Sequence, residues 1–85
     1  MTLDTFNLLS YERQVSLVFA SATFLATRWQ NQEAVNLYYL AGQQKGVFVE
    51  LFYDTQAKAI VRLRAFTSGR LLAEYAAFIQ LSDMS

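Results

Sequence analysis

The chain of 85 residues contains no cysteine, no histidine and no proline, and has only three glycines. Without cysteine there is no disulfide framework, no thiolate metal site and no cysteine nucleophile. Without histidine, the commonest general base and the commonest metal ligand are both missing. Charge is also scarce, at 16% of residues against roughly 25% in an average domain. Seven basic residues balance seven acidic ones. No net field steers such a chain toward nucleic acid or an acidic membrane. A net charge near zero also gives little protection against self-association.

Long apolar runs are absent as well. None approaches the roughly 20 residues that a membrane helix requires. Residues 15–22, "VSLVFASA", carry the small-x-small ending of a signal peptide. The run is too short, however, and Asp4 and Glu12 precede it along with Arg13, where a leader carries positive charge alone. The expectation is an intact cytoplasmic protein that does not enter a membrane.

What the chain does have is apolar residues, at 54%. That is enough for one domain over residues 1–85 and rules out a disordered tail. A domain of this size without disulfide or metal depends on its core alone. It holds a few kcal/mol of stability unless it gains buried area from another chain.

Ser10 is a good helix N-cap, and Glu12 follows in the first turn, where the macrodipole favours an acid. Tyr11, Val15, Val18 and Ala22 recur at helical spacing, which predicts a helix over about 10–20. Residues 3–9, "LDTFNLL", read either as extended chain or as helical turns begun at Asp4. Strand formers dominate 23–29, 33–40, 47–54 and 58–66. The links "QNQE" and "TQA" are of hairpin length, and "AGQQKG" is a turn with glycine near each end. Ser68 caps a last helix to about Gln80, with a stripe of Leu71, Leu72, Tyr75, Phe78 and Ile79. The predicted fold is an α+β two-layer sandwich: a four-stranded antiparallel meander between an N-terminal and a C-terminal helix, both helices on one face.

Alternation then sorts the side chains. With Asp54 opposite Lys58, Leu51 faces Val61, Val49 faces Leu63 and Val47 faces Ala65 on a dry core face. Val35, Leu37 and Tyr39 join them, as do Leu25, Thr27 and Trp29. The outer face holds Phe24, Arg28, Asn36, Tyr38, Leu40, Phe48, Glu50, Phe52, Arg62, Arg64 and Phe66, with Glu50 opposite Arg62 and Phe48 opposite Arg64. Tyrosine, phenylalanine and arginine are the residue types enriched in interface cores.

Several occupants fit that face. A second copy of the chain explains it without a basic field. Tyr38, Phe48, Phe52 and Phe66 would supply apolar area, and Glu50, Arg62 and Arg64 paired charge. The first helix covers the same rings if the helices sandwich the sheet. Single-stranded nucleic acid or a small ligand is the alternative from another class, because aromatic rings and arginines on a sheet can stack bases and hold phosphates. Neutral charge and the lack of a recognition motif weigh against it. An unidentified protein partner fits the same residues.

Catalytic chemistry has little to work with. Glu50 is the single acid in mid-strand; flanked by phenylalanines it could serve as a general acid or base, but an ion pair with cross-strand Arg62 is its ordinary role. Asp54 reads as a turn residue. No phosphate loop or calcium loop is present. The expectation is a non-enzymatic homodimeric interaction protein without cofactor, metal or catalytic residue, serving as an adaptor, inhibitor or assembly subunit.

Overall fold

The computed structural model describes residues 2–42 and 46–67. The order is α1 (Leu3–Asn7), α2 (Tyr11–Ser21), β1 (Thr23–Gln30), β2 (Glu33–Leu40), β3 (Val47–Asp54) and β4 (Ala59–Phe66). The helix expected from Ser68 to about Gln80 lies outside the described residues.

Both helix starts are set by side-chain caps. The Thr2 hydroxyl accepts the Thr5 amide at 3.1 Å, and the Ser10 hydroxyl accepts the Arg13 amide at 3.3 Å. Each satisfies an amide that has no partner within its own helix. Residues 3–9 thus take the helical option, for a single short helix. Gln14 ties the two helices together by donating from Nε2 to the Phe6 carbonyl at 3.0 Å. Five residues are too few to hold a helix alone. What anchors α1 is Phe6, fully buried in the core with Val18 of α2.

The sheet is antiparallel in the order β1-β2-β3-β4, so the meander is as expected. The registers differ from expectation. Across β3 and β4, Leu51 faces Leu63, Val49 faces Ala65 and Phe48 faces Phe66. Glu50 therefore pairs with Arg64 and Phe52 with Arg62. An irregularity after Phe52 takes up the offset, bringing Tyr53 opposite Ile60. The slip of two residues keeps Arg62, Arg64 and Phe66 on the outer face, so alternation alone does not detect it, while the irregularity carries Ile60 to the helix side with Tyr53.

In β2 the faces themselves are exchanged. Tyr38 faces Val49 and Leu40 faces Val47, which places Asn36, Tyr38 and Leu40 on the helix side. Val35, Leu37 and Tyr39 lie on the outer side, beside Phe52, Glu50 and Phe48. In β1 a bulge between Phe24 and Ala26 turns Phe24 to the helix side, while Thr27, Trp29 and Arg28 sit where expected. A bulge adds a residue to one strand and so reverses alternation beyond it.

The core lies between the helices and the sheet. Phe6, Val18, Leu40, Val47, Val49 and Leu51 are buried there, with Val15, Leu17, Leu63 and Ala65 packed around them. The Tyr11 hydroxyl donates to the Ile60 carbonyl at 3.3 Å, which fixes the start of α2 over the beginning of β4.

At the far end of the sheet, Asp54 Oδ1 accepts the amides of Gln56 and Ala57 at 2.8 and 3.0 Å, the turn role expected of it. Thr55 donates from both its amide and its hydroxyl to the Gln32 carbonyl, at 3.0 and 2.9 Å. Lys58 closes this turn with φ of 56°, a left-handed conformation that costs a side chain about 1–2 kcal/mol. Lys58→Gly should therefore stabilise the domain by about 1 kcal/mol and raise Tm by about 4–8 °C. Thermal unfolding followed by circular dichroism checks this, and an unchanged or lower Tm counts against it.

Candidate functional site

The outer face is built in cross-strand rows. Tyr39, Phe48 and Phe66 form the first. The Tyr39 and Phe48 rings are 5.0 Å apart and tilted, and Phe48 and Phe66 stack at 5.6 Å. Such pairs add about 0.5–1.5 kcal/mol each beyond their buried area. Leu37, Glu50 and Arg64 make the second row, and Arg28, Val35, Phe52 and Arg62 the third.

Glu50 sits between two arginines. Arg64 Nε donates to Glu50 Oε1 at 2.6 Å, and its Nη2 pairs with the same oxygen. Arg28 Nη2 donates to Oε2 at 3.2 Å, and Arg28 Nη1 donates to Gln30 Oε1 at 2.8 Å. The Glu50 side chain is fully buried and that of Arg28 is 9% exposed. Three strands are thus joined through one carboxylate. Desolvating these charges is costly, and the paired, hydrogen-bonded geometry offsets that cost. Arg62 takes another role, with its guanidinium 4.0 Å from the centroid of the Phe52 ring and 3.9 Å from Glu33.

Of the seven residues expected to form the interface, Phe48, Glu50, Phe52, Arg62, Arg64 and Phe66 share this face. Tyr38 does not. It belongs to the helix side, where the rings of Phe19 and Phe24 meet it edge-on at 6.2 and 5.6 Å. Nor is the outer face open. Val35, Leu37 and Glu50 are fully buried, Phe52 is 1% exposed and Phe66 is 6% exposed. A partner cannot touch Phe52 or Glu50 without displacing what already covers them.

The open apolar surface lies elsewhere. Phe19 is 60% exposed, Phe24 53%, Leu25 46% and Trp29 64%. Three of these four are on β1, an edge strand of the described sheet. Trp29 and Tyr53 both pair with Ala34, one from each side, so the small alanine forms the floor of a shallow trough between two aromatic rings. The helices pack on the β2, β3 and β4 part of this sheet face, and the exposed side chains of β1 lie beyond them. Sequence reasoning set Leu25 and Trp29 in the core. The signal against that placement was positional: the first strand of a meander is an edge strand, and this one has neither lysine nor proline.

Among the described residues, no group of three or more carboxylates is placed to hold a metal ion, and no helix is long and apolar enough to cross a membrane. No protein-family model, curated protein or solved structure matches the chain.

Proposed function

We propose that the chain is a small non-enzymatic interaction protein that self-associates, using the apolar surface on and beside β1. One observation carries this reading: Phe24, Leu25 and Trp29 stand about half or more exposed on a single edge strand. Isolated exposed apolar residues are ordinary, but contiguous ones mark a contact surface. The chain's balanced charge adds no repulsion between copies.

The aromatic and arginine-rich outer face takes a different part in this proposal. Its hydrophobic cluster of Leu37, Phe66, Ala26 and Phe48 includes no residue of α1 or α2. Its rings already pack on one another beside a buried ion network, so that face is not the one proposed for the second subunit. A single-strand nucleic-acid or small-ligand role would need the same rings free for stacking, so the burial of Phe52 favours the protein-contact reading.

Solution mass tests the proposal. Sedimentation of the wild-type chain across a dilution series should show twice the 9.7 kDa of one chain at high concentration, falling to the single-chain mass on dilution. Moderate salt should barely change the midpoint, because the contact is apolar, whereas nucleic-acid binding weakens steeply with salt. A mass of one chain at every concentration would end this reading.

A further inference from the structure

A strand at the edge of a sheet presents a row of unpaired backbone N–H and C=O groups. Proteins blunt such edges with lysine, proline, bulges or very short strands. β1 is eight residues long and contains no lysine or proline. Its bulge is confined to Phe24–Ala26, and regular pairing with β2 runs from Ala26 to Gln30. Its one charge, Arg28, is 7% exposed and turned inward to Glu50. The opposite edge, β4, carries the half-exposed side chain of Arg62 and the partly exposed one of Arg64. Of the two edges, β1 is the one left able to pair.

We propose that β1 pairs antiparallel with β1 of a second copy about a two-fold axis at Thr27, joining two four-stranded sheets into one. This rests on the self-association proposed above and gives it a geometry. Gln30 and Glu33 close a two-residue loop, so the backbone groups of Gln30 and Arg28 point toward β2, and those of Trp29 and Thr27 point away from it. Thr27 therefore meets Thr27 of the second copy through the groups that β2 leaves free. Continued into the bulge, that register sets Trp29 of each copy beside Leu25 of the other. The two exposed apolar residues are thus equally spaced about the axis and cover each other twice. This symmetry favours a second copy over an unrelated strand. With Arg28 already held by Glu50, no uncompensated charge enters the contact.

The area sets the strength. Large aromatic side chains present about 150–250 Å² each, so the exposed parts of Phe19, Phe24, Leu25 and Trp29 amount to about 400 Å² per copy. Two copies bury about 800 Å², below the roughly 1,200–2,000 Å² of stable complexes. The dimer is accordingly weak and dissociates on dilution through the micromolar range.

Three measurements decide the matter. Amide exchange should slow about tenfold at Thr27 and Trp29 between dilute and concentrated wild-type protein, with β4 amides unchanged. Leu25→Lys with Trp29→Lys should remain folded, because both side chains are exposed, and should show the single-chain mass at every concentration. The chain is free of cysteine, so Thr27→Cys introduces one thiol. Paired Cα atoms about 5.5 Å apart fall within disulfide reach. Under mild oxidation Thr27→Cys should crosslink at least about tenfold faster than Ser16→Cys, a helix-surface control. If the wild-type mass doubles while the Thr27 and Trp29 amides exchange independently of concentration, the edge geometry is wrong and self-association stands. A doubled mass in the double-lysine variant, or equal crosslinking of the two cysteines, overturns the edge geometry in the same way. A wild-type chain of single mass throughout removes both.

Discussion

Glu50→Gln should destabilise the domain by about 3–5 kcal/mol, enough to unfold much of it in a chain whose total stability is a few kcal/mol. The carboxylate is fully buried and holds Arg28 and Arg64 through separate oxygens. Removing its charge takes the counter-ion from the buried Arg28 guanidinium and from the partly exposed one of Arg64. The network as a whole is a different quantity. Replacing the set together, as Glu50→Leu with Arg28→Met and Arg64→Met, should be close to neutral, because apolar side chains of similar size avoid the desolvation cost. Arg62→Ala serves as a surface control. Its pair with Glu33 is long and half-exposed, and with its contact to Phe52 it should cost only about 1 kcal/mol. Urea denaturation of the four proteins measures all of this. A Glu50→Gln cost below about 1 kcal/mol would show that the carboxylate does not hold these strands together.

Phe6→Ala should cost about 3–5 kcal/mol. A single-turn helix near a chain terminus looks dispensable, yet Phe6 is fully buried against Val18 and the β3 aliphatics. The ring leaves a cavity that the rest of this five-residue helix, with only Leu3 also on the core, cannot refill. Leu8→Ala, two positions on, removes a side chain that is 85% exposed, and should change stability by less than about 0.5 kcal/mol. The contrast isolates packing, since Leu8 is the C-cap of the same helix and its side chain is outside the core. Equal effects at the two sites would place α1 outside the core.

Much of the backbone was legible in the sequence. The cap at Ser10, the spacing of Val15 and Val18, and the turn role of Asp54 all rest on local chemistry, and the structure bears them out. Strand limits at 33–40 and 47–54 were set by the glycines and polar residues around them. Register was harder. Glu50 has an arginine opposite whether β4 sits as expected or two residues further along, because Arg62 and Arg64 have the same parity. The row of Tyr39, Phe48 and Phe66 distinguishes the two, but a row spanning three strands appears only once β2 is placed. The faces of β2 were misassigned because each of its alternate sets contains large apolar residues: Val35, Leu37 and Tyr39 on one side, Tyr38 and Leu40 on the other. A strand buried on both sides carries no alternation to read. For the candidate site, six of the seven residues named for the interface lie on the outer face, but four of the eleven assigned to that face, Phe24, Asn36, Tyr38 and Leu40, lie on the helix side, and the face is not open. Aromatic rings beside arginine suit an interior ion network as well as an interface, and composition does not tell the two apart.

The double grip of Thr55 on the Gln32 carbonyl gives the border strand a second anchorage. The tip of the first hairpin is tied to the tip of the last, bypassing the length of β2. Tension on β1 is therefore shared with the β3–β4 hairpin, and the border cannot peel from its free corner as an untethered ribbon would. Whatever binds along β1 pulls on the whole sheet from the start.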